Sequence, residues 1–161
     1  MLTKHISHEE ESKMRNLTTE ITIEAPANVV WEILTDLEKY EEWNPFIVSS
    51  EGDVTEGSRL RNKMQPPGGK ATTFKPTVTA VETEKYFEWL GRLGIPGLFD
   101  GRHQFKLEAV GERTRFIQSE EFTGILVPLF AKMLDNKTQR GFEAMNQAIK
   151  ERAEMAVTER G

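Results

Sequence analysis

The chain is predicted to fold as an α+β protein, with an antiparallel sheet packed against one long C-terminal helix. Strand-like stretches follow one another through the middle of the chain and are separated by turn residues. Helical patterns occur only directly after the first strand and at the C-terminus. Segregated helices and strands joined by short turns are typical of an antiparallel sheet that is covered on one face.

The composition excludes several classes of function. The 161 residues suffice for one domain with its own core. No cysteine is present, so disulfides, thiol nucleophiles and thiolate metal sites are excluded. The 26 Asp and Glu residues outnumber the 21 Lys and Arg residues and no basic cluster occurs, so we expect no nucleic-acid partner. Because the sequence shows neither a span-length apolar run nor a signal peptide, we expect a cytoplasmic protein that does not insert stably into membranes.

The N-terminal residues lack a clear period. Residues 1–15 are polar and charged, and we expect a flexible extension there, followed by one domain over residues 16–157. The extension contains His5 and His8, but two histidines without further ligands do not make a metal site.

The domain is predicted to begin with a strand and two short helices. Apolar and polar residues alternate from Leu17 onward, which predicts a half-buried first strand. Pro26 suits the start of a short helix, and Thr35 with Glu38 has the spacing of a capping box that would begin a second one. The second helix should stop before Pro45, because the residue before a proline is disfavoured in a helix.

Six further strands and the long helix complete the prediction. Residues 127–155 carry apolar side chains at a spacing of three and four, which predicts a helix with one buried face. Such a helix is long enough to lie along a sheet of long strands. The six strands are predicted at residues 46–50, 58–64, 72–81, 86–93, 98–110 and 113–123.

The last two strands are predicted to bring a histidine and a glutamate together. If the turn at Gly111 is a two-residue hairpin loop, Val110 lies opposite Arg113 and His103 lies opposite Glu120. The alternation of large apolar residues places the same two side chains on the inner face of the sheet. Two independent inferences therefore predict a His103–Glu120 pair with Cβ atoms about 5 Å apart.

The polar residues on the inner face have two interpretations. Asn62, Gln118 and the His103–Glu120 pair either form a closed hydrogen-bonded network in the core or line a cavity that holds a ligand. Gly141 in the long helix either makes room for that ligand or allows close packing on the sheet. The number of polar residues, together with the glycines beside them, favours the cavity.

Three segments and the order of the elements resemble one known superfamily. The segments are residues 41–46 (EEWNPF), 97–101 (GLFDG) and 140–146 (RGFEAMN), and the similarity extends over residues 18–155. On these features the chain resembles a bacterial single-domain member of the SRPBCC group, the START-like or polyketide cyclase/dehydrase-like superfamily. The resemblance implies a helix-grip fold, in which a curved seven-stranded antiparallel sheet wraps around the C-terminal helix and two short helices lie between strands 1 and 2.

The resemblance also implies a deep, mostly apolar cavity whose mouth lies near the Trp43 loop. On turn chemistry alone, Trp43 would instead anchor the end of a helix. The predicted ligand-binding residues are Trp43, Asn62, Met64, Trp89, Phe99, His103, Phe105, Gln118, Glu120, Phe122, Phe130, Met133 and Leu134.

The sequence leaves three functions open. The resemblance implies that a small hydrophobic molecule of the lipid, polyketide or aromatic type binds between the sheet and the C-terminal helix. A minority of the superfamily are enzymes, so a second hypothesis is a polyketide cyclase or dehydratase with His103 as general acid/base and Glu120 as the residue that orients it. No nucleophile, metal cluster or phosphate-binding loop accompanies this pair in the sequence. Whether the protein is an enzyme therefore stays open.

The third hypothesis is an interaction module or a homodimer without turnover. Its contact surface would be an exposed strand edge or the apolar loop at residues 94–99, which could instead be a lid, touch a membrane or fold inward. We expect no cofactor and no metal, because His103 and Glu120 are only two ligands and a zinc site uses three or four.

Overall fold

The computed structural model of the protein describes residues 13–161. Most of the predicted extension, with His5 and His8, lies outside these residues, and β1 begins at Met14, shortly before the predicted domain start at residue 16. The elements are β1 (Met14–Ile23), α1 (Ala27–Thr35), α2 (Tyr40–Trp43), β2 (Ile47–Glu51), β3 (Arg61–Met64), β4 (Thr72–Phe74), β5 (Thr77–Glu82), β6 (Tyr86–Arg92), β7 (Asp100–Val110), β8 (Arg113–Thr123), α3 (Val127–Met133) and α4 (Gln139–Arg160).

The strands form two antiparallel sheets, where the sequence predicts one sheet of seven strands. The larger sheet has the order β1-β8-β7-β6-β5, and the smaller has the order β2-β3-β4. The predicted strand at residues 72–81 is divided at Pro76 into β4 and β5, which belong to different sheets. Pro76 has no N–H to donate to a ladder, but its carbonyl accepts a hydrogen bond from the Leu60 amide at 2.8 Å. This bond lies where the two sheets meet, so together they form one curved surface around the C-terminal helix.

The predicted register of β7 and β8 is confirmed. Val110 pairs with Arg113, and seven residues further along the hairpin arms His103 pairs with Glu120. The neighbouring inner residues Phe105 and Phe116 are fully buried, which confirms that this face of the hairpin is turned to the core. The turn length and the hydrophobic alternation therefore define the same arrangement.

The two short helices after β1 are confirmed, but the predicted capping box is wrong. Thr35 does not cap a second helix, because its hydroxyl donates to the Trp31 carbonyl at 2.7 Å within α1. A 3₁₀ turn at Leu37–Lys39 leads into α2 instead, without a side-chain cap. The competing hydrogen bond one turn back is a common alternative for a threonine inside a helix.

The long C-terminal helix is confirmed and continues to Arg160, five residues beyond the predicted end at residue 155. A π-helical turn at Leu134–Thr138 joins α3 to α4. Among its inward residues, Gly141 lies directly against the ring of Phe46, since a Cβ at this glycine would stand 2.4 Å from that ring. Gly141 is thus explained by close packing, and the ring that it accommodates borders the site described below. Within residues 13–161, no helix combines the length and the apolar composition that a bilayer crossing needs.

Candidate functional site

A cavity of about 280 Å³ lies between the two sheets and the π-helical turn. Its walls come from β3 and β4 on one side, from β6, β7 and β8 on the other, and from the end of α3 and the π turn above. Most of the surface is apolar. The predicted ligand-binding residues that line it are Asn62, Met64, Trp89, Phe99, Glu120, Phe122, Met133 and Leu134.

Five predicted residues lie behind the wall or away from the cavity. Trp43 packs edge-on against Tyr40 in α2, with ring centroids 5.2 Å apart. Phe130 supports the wall from behind by contact with Phe99, at 5.3 Å between centroids. Phe105 is fully buried in the aromatic core, and the other two residues, His103 and Gln118, belong to the network below. A role of these five in binding stays a prediction.

His103 forms a chain of hydrogen bonds under the cavity. Its Nδ1 lies 3.0 Å from Oε2 of Glu120, and its Nε2 lies 2.9 Å from Nε2 of Gln118. The ring is fully buried and stacks on Trp89 with centroids 4.8 Å apart. With the Gln118 amide as donor, the neutral imidazole carries its proton on Nδ1 and donates it to the carboxylate. The predicted pair is thus present, and only its glutamate reaches the cavity.

Glu120 presents one carboxylate oxygen to the cavity. Oε2 is held by His103, while Oε1 accepts no hydrogen bond from any side chain or amide between residues 13 and 161. Gly101 makes this position accessible, because a Cβ there would lie 2.5 Å from Oε1. A glycine on β7 therefore lets the Glu120 carboxylate lie flat against the sheet at the cavity wall.

Asn62 is the second polar group of the wall. It is fully buried, and its Oδ1 accepts a hydrogen bond from the Ser50 hydroxyl at 2.6 Å. Its Nδ2 has no partner among the described residues. Leaving a buried donor unsatisfied costs about 1–3 kcal/mol. Among the buried residues of the described lining, Asn62 thus keeps an unpaired donor, Nδ2, and Glu120 keeps an unpaired acceptor, Oε1.

The segment at residues 41–46 supports the wall rather than the mouth. Asn44 is buried, and its Oδ1 accepts hydrogen bonds from the amides of Phe46 and Ile47 at 3.0 and 2.9 Å. This side-chain turn fixes the ring of Phe46 at the cavity, beneath Gly141. The asparagine and the glycine therefore shape one wall together.

Several lining residues were missed by the sequence analysis. Gly91 and Gly101 are not among them, since both follow the inner alternation of their strands and belong to the glycines that the sequence analysis places beside the polar residues. Lys70 lies in the loop before β4 and Arg92 at the end of β6, while Lys137 lies within the predicted C-terminal helix but is not one of the apolar positions that predict its buried face. Among residues 13–161, no group of three or more His, Asp or Glu side chains is placed to hold a metal ion.

Solved structures show the same fold. An aromatase/cyclase, Zhui from Streptomyces sp. R1128, is 21% identical, with a TM-score of 0.74 over 89% of this chain and 96% of that one. A START superfamily protein from Mycobacterium smegmatis is 20% identical, with a TM-score of 0.67 over 88% and 98% of the two chains. Norcoclaurine synthase from Thalictrum flavum, solved with a transition-state analogue, is 16% identical, with a TM-score of 0.66 over 87% and 94%. At these identities the likeness shows the fold alone, which is the START-like helix-grip fold.

The family follows from the sequence itself. A family model described as "Polyketide cyclase / dehydrase and lipid transport" matches residues 14–154. The match covers most of the chain, so the protein belongs to this family. No protein with a curated function matches the sequence.

Proposed function

We propose that the protein binds a small, mostly apolar molecule in this cavity, of the lipid, polyketide or aromatic type. The observation that carries the proposal is the buried Asn62 amide, which lines this mostly apolar cavity and whose Nδ2 has no hydrogen-bond partner among the described residues. An unsatisfied buried donor is destabilising, so its presence favours a partner that arrives from outside the chain. The volume of about 280 Å³ is near the lower end of the range for ligand pockets, which favours a compact molecule.

The two free polar atoms define how such a ligand would be oriented. A carbonyl or hydroxyl oxygen can accept the hydrogen bond of Asn62 Nδ2, and a hydroxyl hydrogen can be donated to Glu120 Oε1. Apolar contact with Trp89 and Phe122 supplies the remaining surface. This combination of apolar walls and a few placed polar groups is typical of small-molecule sites.

Native mass spectrometry of gently purified protein, followed by organic extraction, tests the proposal. We expect a small lipophile at one copy per chain in the wild type. Gly91→Leu should abolish it, because a Cβ at Gly91 meets nothing closer than 3.8 Å and the added side chain extends into the cavity. Ala109→Leu is the matched control, since it adds the same residue at an exposed position on β7.

Two results would contradict ligand binding in the cavity. One is a wild-type protein that carries no lipophile and also fails to bind the uncharged dye Nile red. The other is a lipophile that stays bound to Gly91→Leu as well as to Ala109→Leu, which would place it elsewhere on the protein.

A second function, acid–base catalysis of the cyclase or dehydratase kind, is favoured by the His103–Glu120 distance of 3.0 Å at the cavity wall. The geometry favours the reverse of the roles expected from sequence. Glu120 lines the cavity and would exchange the proton with a substrate, whereas the buried His103 would position it. Glu120→Gln should then abolish turnover of the extracted ligand while binding changes less than threefold. Equal turnover by this variant and the wild type would exclude the role.

An interaction surface, a homodimer and a cytoplasmic location stay predictions. In the loop at residues 94–99, Phe99 turns inward onto Phe122, with centroids 5.7 Å apart, while Ile95 is 72% exposed. An interaction surface or a homodimer would have to use the exposed part of this loop or a strand edge. Light scattering over a range of protein concentrations separates a monomer from a dimer. The cytoplasmic location likewise stays a prediction.

A further inference from the structure

The charged side chains of the cavity are separated by depth. Glu120 is the one carboxylate in the described lining, and its side chain is only 11% exposed. Three cations, Lys70, Arg92 and Lys137, also line the cavity, and all three are exposed. They come from the loop before β4, the end of β6 and the π-helical turn, so three separate elements bring positive charge to one opening.

Little negative charge balances this opening. Arg92 Nε lies 3.8 Å from Asp100, which is a loose ion pair. Within the described part of the chain, neither Lys70 nor Lys137 lies within ion-pair distance of a carboxylate, although Asp135 in the same π turn pairs with Arg15. The chain as a whole carries a formal charge of −5, so a cationic opening runs against the overall charge. Such local concentrations of one sign attract ligands of the other.

We propose that the ligand is an amphiphilic anion, with its apolar part in the cavity and a carboxylate or phosphate at the opening beside Lys70, Lys137 and Arg92. This inference rests on the proposed function and narrows the chemistry of its ligand. The walls between the opening and Glu120 are apolar, as the body of such a molecule requires.

The opposite orientation is disfavoured by the deep end of the cavity. An anion there would lie near the carboxylate of Glu120, where the Asn62 amide is the one unpaired donor among the buried lining residues that the structure describes. Burying a charge without a matching partner is strongly unfavourable. A cationic ligand would meet three like charges at the opening, and a neutral one would leave them without a role. An anionic group at the exposed end, with a neutral polar group inside, matches every charged lining residue.

Isothermal titration calorimetry with matched chains tests this inference. Decanoate, decyl phosphate, decanol and decylamine share one hydrocarbon and differ only in the head group. An exposed ion pair is worth about 1.5- to 5-fold in affinity, so two or three of them favour the anions over decanol by about 10-fold at low salt. The preference should shrink as salt is added, because exposed charges are screened. Comparison of decanoate with decyl phosphate shows which anion the opening prefers.

Two variants locate the effect. The double substitution Lys70→Gln with Lys137→Gln should weaken decanoate binding until decanoate and decanol bind within about twofold of each other. Lys132→Gln removes the same charge from an exposed position one turn earlier that does not line the cavity, so it should keep the preference. A preference lost equally in Lys132→Gln and the double variant would contradict a local effect.

The outcomes separate the two proposals. If decanol and decanoate bind the wild type equally, or decylamine binds best, the anionic ligand is excluded while the cavity remains a binding site. If none of the four chains binds, the proposed function itself fails, and this inference fails with it.

Discussion

On the outer face of the larger sheet, the Glu88 carboxylate accepts four hydrogen bonds, whereas on the inner surface of the two sheets Asn62 and Gln118 each keep an amide atom without a partner among the described residues. Thr79 and Arg102 both donate to Glu88 Oε1 at 2.7 Å. Of Glu88, Asn62 and Gln118, only Glu88 has every polar atom of its side chain paired within the described part of the chain. The difference separates a polar group whose hydrogen bonds all lie within the sheet from polar groups that the described residues leave partly unsatisfied.

The outer network also controls the charge of its carboxylate. Tyr86 and Gln104 donate to Oε2 of Glu88, which is only 8% exposed. Burial alone would raise the pKa of Glu88, but the hydrogen bonds from Tyr86, Thr79, Gln104 and Arg102 together outweigh it and lower the pKa to about 2. The pKa of Tyr86 is raised, mainly because the hydroxyl is partly buried and further because it donates a hydrogen bond to the negatively charged Glu88. The network therefore stays ionised and intact at neutral pH.

The largest expected effect follows from removing this carboxylate. Glu88→Gln should lower the free energy of unfolding by about 2 kcal/mol, because hydrogen bonds to a charged group are lost and Arg102 loses its anionic partner. Urea denaturation at neutral pH measures the change. Glu82→Gln, on the neighbouring strand in an exposed pair with Lys85, is the control and should change stability far less. If the two variants lose the same free energy of unfolding, the hydrogen bonds around Glu88 stabilise the fold no more than an exposed ion pair does.

Acidification should remove the same difference. The folded pKa of Glu88 lies near 2 and its ordinary value is 4.5, so its contribution is fully present above pH 4.5 and is lost as the pH falls toward 2. The stability gap between the wild type and Glu88→Gln should therefore narrow across this window. Denaturation curves at several pH values measure it, and a gap that stays constant down to pH 2 would contradict the lowered pKa.

The sequence predicts the His103–Glu120 pair, but it cannot predict which of the two side chains lines the cavity. Alternation and turn length place His103 and Glu120 opposite each other on the inner face, and the structure agrees. Which of them touches the cavity depends on the neighbours across the strand. Gly101 leaves space over Glu120, while Trp89 covers His103. Alternation shows which face of a strand a side chain is on. It does not show which of two side chains on that face reaches the cavity.

The missed features share a long-range origin. The division of the predicted strand at Pro76 depends on a backbone partner at Leu60, sixteen residues earlier in the chain. Lys70 and Lys137 come together at the opening although 67 residues separate them in sequence, and neither is one of the apolar positions that predict the elements. Local patterns thus define the elements and one register, while the polar chemistry of the opening arises only from the packed fold.

A smaller effect should distinguish the unsatisfied inner group from the saturated outer one. The double substitution Ser50→Ala with Asn62→Leu removes both partners of a buried hydrogen bond together with the free Nδ2. Replacing both partners by apolar groups is close to neutral, so the free energy of unfolding should stay unchanged or rise by about 1 kcal/mol. Decanol binding should weaken, since the donor for its hydroxyl is lost.

Ser50→Ala alone is the control and should be destabilising, because it leaves Asn62 Oδ1 buried without its donor. A double variant that loses as much stability as Glu88→Gln would show that the inner group is structural as well.

The smallest expected effect comes from two glycines that face each other in β6 and β7. A methyl group at Gly91 would meet Pro76 and the Gly101 carbonyl at 3.8 and 3.9 Å, so Gly91→Ala fits and should change stability by no more than about 0.5 kcal/mol. It occupies part of the cavity, so decanol should bind more weakly. Gly101→Ala adds the same methyl group 2.5 Å from Glu120 Oε1 and must push the carboxylate away from His103. Calorimetry measures decanol binding by both variants, and thermal unfolding measures their stability. Gly91→Ala shows the effect of lost cavity volume alone, whereas Gly101→Ala shows the effect of lost volume together with displacement of the Glu120 carboxylate. If the two variants bind decanol equally, Glu120 does not contribute to the site, because Gly101→Ala should be the weaker binder whenever the ligand uses this carboxylate.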